Sequence, residues 1–289
     1  MSAEITTQRS IEYTTNLELL SQQLGSRLRG TVSVGNHKGK QAVPVDQVGA
    51  VDVYDVVGRR QTNTWTDTPH RRRWVFPQRR AVHDTIDIAD EVELLVNPGS
   101  KYAQNFAAAM GRKVDRVLLQ AMVGTSTTGE TGTGSETFDT TNNQIAAGGT
   151  GLTFDKINQA VRMIRSQMKE YGEQLYMAVN ARGIEDMLAE TKIGSADYNV
   201  VRVLSNGEMN TFMGIKFIPT ETLDILLDST TESAVLYAKS GVHLGVWEEI
   251  NGRVDVLPTM EHSTQISAYA NFGATRIEQA KVIQVLFAQ

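Results

Sequence analysis

The chain has 289 residues, of which 40% are hydrophobic and 21% are charged, and its formal net charge is -5. It contains no cysteine, which excludes disulfides and thiolate metal sites. No apolar run approaches the roughly 18 residues that a membrane span requires, and the polar N-terminus lacks the apolar core of a signal peptide. These features predict a protein with a full hydrophobic core that assembles in a reducing cytoplasm and has no membrane partner.

The first predicted element is a short helix within residues 11–28. Its leucines recur at helical spacing, and a stretch containing glycine and lysine follows it. A helix of this size is marginally stable alone in water. We therefore expect an N-terminal arm that becomes ordered against neighbouring copies. The residues expected at that interface are Leu17, Leu20, Leu24, Arg27 and Leu28.

Residues 43–88 are predicted to form an extended hairpin. β-Branched residues dominate 42–57, a long polar tip follows, and a second run of alternating apolar residues returns. Pro69 and Pro77 exclude the hairpin from the middle of a sheet. Its few apolar residues cannot form a core of their own, so we expect it to project from the body.

The hairpin also concentrates arginine. Residues 59–80 contain seven arginines and one acid, a local charge of +6, so the rest of the chain carries -11. A basic segment on an acidic body favours contact between copies of the same chain. The arginines are Arg59, Arg60, Arg71, Arg72, Arg73, Arg79 and Arg80, and the tryptophans Trp65 and Trp74 lie among them.

The arginine-rich stretch has three interpretations. Aromatic residues between arginines could stack on nucleic-acid bases. Arginine and tryptophan are also the residues that dominate protein interfaces. The third interpretation is a solvated hairpin tip. The projecting geometry and the acids that resume at Asp84 favour the interface, in which the arginines meet acids of a neighbouring copy and the tryptophans act as apolar anchors.

The strongest helical pattern lies in residues 100–123. Apolar residues recur there every three or four positions, alanines raise the helix propensity, and Pro98 and Gly124 mark the two ends. A second amphipathic helix is predicted over 154–171. The glycine- and threonine-rich residues 124–151 between the two helices predict a long surface loop.

The remainder of the chain shows a mixed pattern of strands and a short helix. Asn251-Gly252 predicts a type I′ turn between two strands. Residues 259–289 hold two further strand-like runs. The whole pattern predicts an α+β fold.

The sequence carries no catalytic signature. The 124–151 segment has no phosphate-binding motif and no lysine, and no nucleophile-elbow motif of hydrolases occurs. The histidines lack metal-ligand spacing. We therefore predict no catalytic, cofactor or metal site. The five histidines, each expected at a surface or an interface, are His37, His70, His83, His243 and His262.

Several stretches resemble the major capsid proteins of tailed, podophage-like bacteriophages, which have the HK97-like capsid fold. LLSQQLGSRLRGTV (19–32) resembles their N-terminal arm. DEVELLVNPGSKYAQNFAAAMGRKVDRVLLQAMVG (90–124) resembles the acidic lead-in and the spine helix. GIKFIPTETL resembles an A-domain strand, and ISAYANFGATRIEQAKVIQVL resembles the closing P-domain strand and its return. The resemblance covers nearly the whole chain, from about residue 10.

The resemblance implies a division of the chain into five parts. These are an N-terminal arm (1–42), an E-loop hairpin (43–88), a P-domain with the spine helix (89–174), an A-domain (175–258) and returning C-terminal strands (259–289).

The resemblance also implies a function. Such chains are structural proteins that self-assemble into hexamers and pentamers of an icosahedral head enclosing double-stranded DNA, which they contact by non-specific proximity. Assembly is expected in the host bacterial cytoplasm, with a portal protein and, in some relatives, decoration proteins. A separate scaffolding protein is expected because no long N-terminal extension precedes the arm. Some relatives cross-link through an E-loop lysine, but none occurs here between Lys40 and Lys101.

Two alternatives remain. The first is an encapsulin-like shell of a cellular compartment, which would have the same fold. The second is a nucleotide- or metal-dependent enzyme that uses the 124–151 segment, and the missing motifs disfavour it.

Overall fold

The computed structural model describes residues 22–39, 42–63, 65–86, 99–168, 172–189, 213–226 and 231–288. The strands in these ranges are β1 (Ser33–Asn36), β2 (Val43–Val48), β3 (His70–Val75), β4 (Gln78–Ile86), β5 (Ser126–Thr128), β6 (Gly134–Glu136), β7 (Gln144–Ile145), β8 (Leu175–Val179), β9 (Ile215–Pro219), β10 (Thr231–Ala238), β11 (Val242–Leu257), β12 (Ser263–Arg276) and β13 (Val282–Ala288). The helices are α1 (Gly99–Val123), α2 (Phe154–Met168) and α3 (Ala181–Ala189), and none of them is long and apolar enough to cross a bilayer.

Helix α1 is the long helix that the sequence predicted over 100–123. Phe106, Met110, Val114 and Leu118 recur every fourth residue and are buried, so one face of the helix is apolar throughout. Its 25 residues span about 37 Å. The helix ends at Val123, and the N–H of the following Gly124 still donates to the carbonyl of Gln120.

A four-stranded sheet with the order β1-β11-β12-β4 packs against α1. β12 is antiparallel to both β11 and β4, whereas the short β1 runs parallel to β11 and pairs only with residues 243–246. The buried face of the sheet and the apolar face of α1 form one core, which includes Ile266, Ala268 and Phe272 of β12.

The predicted turn at Asn251-Gly252 is wrong. β11 continues through both residues, which remain paired with β12. The pairing shifts register between Glu248 and Asn251-Gly252, so these residues follow a local irregularity of the strand and do not reverse the chain. The reversal comes after Leu257, where Glu261 and His262 adopt positive φ angles of 48° and 60°.

A five-stranded sheet with the order β7-β13-β10-β8-β9 encloses a second core. Helix α2 covers it with Ile157, Val161 and Ile164, all buried, at the spacing predicted from the sequence. The central strands read as continuous apolar runs because they are buried on both faces.

A third sheet, ordered β2-β3-β5-β6, corrects two predictions. The stretch 124–151 is not only a loop, because it contributes β5 and β6 to this sheet and β7 to the second one. Gly129 and Gly132, with φ of 91° and 74°, allow the tight reversal between β5 and β6. The returning strand of the hairpin is also interrupted, since β3 pairs with β2 whereas β4 pairs with β12. Pro77, which lacks an N–H, lies at this break.

Candidate subunit interface

The hairpin of β2 and β3 is fixed to the body at its base. The two strands pair in register from Val43 with Val75 at the base to Val48 with His70. Val43 and Val75 form a small buried cluster with Trp247 of β11. This apolar contact sets the direction in which the hairpin leaves the body.

Beyond Val48 the hairpin has no strand or helix in its described residues, 49–63 and 65–69. The first strand is therefore shorter than the predicted 42–57. Several large apolar side chains of this tip are exposed, with Val53 95%, Val57 91% and Trp65 91% accessible. Exposed apolar groups of this size on a projecting segment are typical of a surface that binds another protein.

Two of the predicted interface arginines have carboxylate partners in their own chain. Arg72 donates to both carboxylate oxygens of Asp46 on the paired strand, at 2.5 and 3.1 Å, and this hydrogen bonding lowers the pKa of Asp46. Arg73 is buried and forms an ion pair of 2.6 Å with Glu136 of β6. Both arginines therefore have acids of their own chain beside them, and their contact with a neighbouring copy stays a prediction.

Trp74 and the last two arginines also pack on their own subunit. Trp74 donates its indole N–H to the Gly129 carbonyl at 2.7 Å and is only partly exposed. Arg79 and Arg80 belong to β4, not to the hairpin, and the Arg79 guanidinium lies 5.2 Å from the centre of the Tyr269 ring. The residues that remain outward-facing are Arg59, Arg60, Trp65 and Arg71, and none of these arginines forms an ion pair within the described ranges.

The N-terminal segment differs from its prediction. Leu17 and Leu20 lie outside the described residues, and residues 22–28 are not helical. Leu24 is 76% exposed, whereas Leu28 is fully buried in the core beneath α1 and cannot contact another copy. Arg27 donates to the backbone carbonyl of Pro219. This part of the arm is anchored to its own subunit.

A buried carboxylate on α1 explains why residues 22–28 are not helical. Asp115 is 0% exposed and accepts hydrogen bonds from Gln23 Nε2 at 2.6 Å and Ser26 Oγ at 2.5 Å. It also accepts from the backbone N–H groups of Arg27 at 3.0 Å and Leu28 at 3.1 Å. Backbone groups that a helix would bond internally are thus bound by one side chain, which holds the segment extended across α1.

The N-terminal segment can cross α1 this closely only where the helix has a glycine. A Cβ at Gly111 would lie 2.5 Å from Gly25, so only glycine allows the two backbones to cross this closely. No sequence pattern pointed to Gly111 or Asp115, because their partners are remote in the chain.

The structure offers little support for an enzyme. An open cavity of about 570 Å³ lies beside the hairpin base. Its three arginines face three carboxylates, so no net charge is left to hold a phosphate. The charged lining residues are Asp46, Arg71, Arg72, Arg73, Glu130 and Glu136. Within the described part of the chain no group of acids or histidines is placed to bind a metal.

Comparison with known proteins decides the family. Residues 5–289 match the family described as phage capsid protein. The chain belongs to this family. Phage capsid proteins are structural subunits and not enzymes, and their place is the virion capsid. No curated protein sequence matches the chain.

Solved structures of phage capsids share the fold. The capsid asymmetric unit of cyanophage Pam1 superposes with a TM-score of 0.76 at 10% identity and covers 99% of this chain and 98% of its own. The capsid of Helicobacter pylori bacteriophage KHP30 gives 0.74 at 10% identity, covering 99% and 98%. Mycobacterium phage Che8 gives 0.68 at 16% identity, covering 93% of each chain. The predicted α+β, HK97-like capsid fold is confirmed, and the chain is a phage capsid shell protein.

Proposed function

We propose that this capsid protein assembles into hexamers and pentamers that tile an icosahedral head around double-stranded DNA. The observation that carries the proposal is the exposed apolar tip of the hairpin, which no part of its own described chain covers. Such a surface is costly in water unless another copy covers it. Arg59, Arg60 and Arg71 add positive charge beside the tip, and the acidic remainder of a neighbouring copy is their complement.

The free edge of β11 supports the same proposal. β1 covers only residues 243–246, so residues 248–257 form an unpaired edge within the described sheet. Val254 and Val256 on this edge are 64% and 58% exposed and alternate with the charged residues Arg253 and Asp255. The unpaired backbone groups of a strand edge are protected when a neighbouring copy covers the edge in a closed ring.

We further propose that assembly takes place in the cytoplasm of the host bacterium with a separate scaffolding protein and a portal protein. The DNA is then contacted by proximity and without sequence specificity. Electron microscopy of purified particles tests the proposal. DNA-filled heads agree with it, whereas particles filled with protein cargo would favour an encapsulin-like compartment.

The tip itself is tested by a double substitution, Val53→Ser with Trp65→Ser. We expect the yield of closed particles to fall at least tenfold, because each apolar anchor at an interface contributes about 1–2 kcal/mol and is repeated at every subunit contact. Asn63→Ser, an exposed polar change on the same tip, should assemble normally. The soluble subunits should keep wild-type circular dichroism. Normal particle yield from the double variant would refute the tip as an interface.

A second expected result concerns covalent cross-links. Since no lysine occurs between Lys40 and Lys101, the hairpin cannot form the lysine-based cross-link of some relatives. When mature particles are boiled in detergent, the capsid protein should therefore run at the position of a single subunit and form no multiples. A ladder of subunit multiples would contradict this expectation.

A further inference from the structure

Two histidines meet where the N-terminal segment joins the body. His37, directly after β1, and His243 of β11 place their Nε2 atoms 2.9 Å apart. The Ser33 hydroxyl donates to the Val242 carbonyl at 2.8 Å and lies 3.2 Å from Nδ1 of His243. That hydroxyl oxygen is therefore placed to accept from Nδ1–H, which leaves Nε2 of neutral His243 to accept from His37.

The backbone around the pair leaves room for the two rings. Gly35 and Gly245 are register partners in the parallel pairing of β1 with β11. A Cβ at Gly35 would lie 2.8 Å from both imidazoles, and one at Gly245 would lie 2.9 Å from His37. The Trp247 ring completes the enclosure at 5.4 Å from the His37 ring. Side chains at either glycine position would push the histidines apart.

Several charged groups lie on the elements packed against this pair. Lys38 follows His37 and is exposed. The turns beside β1 and β11 carry Lys239 and Lys281, and Lys281 is engaged with Glu173 and Glu278. On β12 the residue opposite His243 is the neutral Thr275, and the Arg276 guanidinium is bound to carbonyls at the end of α1. Among the described groups, His37 is the charge that acts on His243.

We propose that His37 and His243 form a pH-sensitive latch that fastens β1 to β11 at neutral pH and releases β1 in acid. When both rings are neutral, one Nε2–H donates a hydrogen bond to the other Nε2. When only one ring is protonated, this hydrogen bond can still form. When both rings are protonated, two N–H groups face each other at 2.9 Å and the hydrogen bond is lost. β1 is a sheet-edge strand of only four residues, so the histidine contact at its end is a large share of what holds it to β11.

The direction of the pH effect follows from proton linkage. Burial, with a smaller contribution from His37, lowers the pKa of His243 from 6.5 to about 4. When β1 is released, His243 lies in water at its ordinary pKa, so between these two pKa values the released state binds more protons than the docked state. Docking is therefore strongest above pH 6.5 and weakens as the pH falls towards 4.

Hydrogen exchange on the purified full-length protein tests the latch. Protection factors, corrected for the intrinsic pH dependence of exchange, are measured for the amides of residues 33–37 at pH 7.5 and 4.5. We expect these protection factors to fall at least tenfold at the lower pH. Release coupled to the uptake of one proton can change the docking equilibrium by up to tenfold for each pH unit between the two pKa values of His243. Amides of β13, in the buried second core, serve as the internal reference and should change less than twofold.

Two variants separate the latch from other acid effects. His37→Gln can still donate to His243 but cannot be charged, and it should abolish most of the pH dependence of residues 33–37. His243→Gln provides the same test from the other strand if the first variant does not dock at pH 7.5. The proposal is overturned if wild-type protection of β1 does not change, if β13 loses protection in parallel, or if both variants respond to acid as the wild type does.

Discussion

Replacing Asp115 with alanine is expected to lower the free energy of unfolding by about 3 kcal/mol. Four donors converge on this carboxylate, which is completely buried. Alanine leaves the N–H groups of Arg27 and Leu28 without an acceptor beneath the segment that crosses α1. Leu28, which belongs to the core, would be held less firmly in its site. Urea denaturation of the purified subunit measures the loss.

The geometry of the carboxylate allows a graded test. Oδ1 accepts from Ser26 and Leu28, whereas Oδ2 accepts from Gln23 and Arg27. Asp115→Asn keeps one oxygen and points an NH₂ group at the other two donors, so its loss of stability should be at least half that of alanine. Asp255→Ala, an exposed aspartate on β11, is the matched control and should change stability by less than about 0.5 kcal/mol. Equal stability of Asp115→Ala and Asp255→Ala would show that the segment is not held by this residue.

The elements of the body were predictable because local patterns specify them. α1 and α2 have apolar residues at helical spacing over many turns, and β10 and β13 are continuous apolar runs. These signals lie within single segments of the chain. Burial of the predicted faces confirms that tertiary packing agrees with local preference in both cores.

The errors fall where remote contacts override a local signal. Asn251-Gly252 is a strong hairpin signal, yet pairing along the whole of β12 keeps the chain extended there. The leucine spacing within 11–28 predicted a helix, yet residues 22–28 are bound by Asp115. Each competing partner lies far away in the sequence, so no local window contains it.

The candidate interface was predictable only in part. The sequence predicted a hairpin and its exposed tip, and Trp65, Arg59 and Arg60 are indeed exposed there. Arginine content alone could not separate the arginines that face outwards from those that stabilise the hairpin base. That distinction depends on which acid lies on the neighbouring strand, as Asp46 does for Arg72.

Substitution of Arg276 is also expected to cause a large loss of stability. Its side chain is 1% exposed, and its Nη1 donates to the carbonyls of Met122 and Gly124 at 2.8 Å each. The last turn of α1 contains no basic residue of its own, so Arg276 supplies the positive charge at the negative end of the helix dipole. Burial and the nearby Arg73 lower the pKa of Arg276 to about 10, so it remains charged at neutral pH.

Arg276→Met should cost about 3–5 kcal/mol of stability, because it leaves the helix-end carbonyls without their donor and removes a buried charge from a paired network. The pairing of β3 at the hairpin base should become less stable as well. Arg276 and Arg73 share Glu136, which accepts from Arg73 through its carboxylate while its backbone carbonyl lies 3.5 Å from Nη2 of Arg276. The amides of β3 should therefore exchange faster in this variant, even where the protein remains folded.

A matched control tests whether the effect comes from the buried contacts or from the loss of one arginine. Arg253→Met removes the same charge from the exposed part of β11 and should leave both stability and exchange of β3 within error. The stability of Arg276→Lys should lie between those of Arg276→Met and Arg253→Met, because one ammonium group cannot reach the helix-end carbonyls and Gln279 together. If Arg276→Met loosened β3 no more than Arg253→Met, the end of α1 and the hairpin base would be independent, and movement of the hairpin in a shell would not be coupled to this helix.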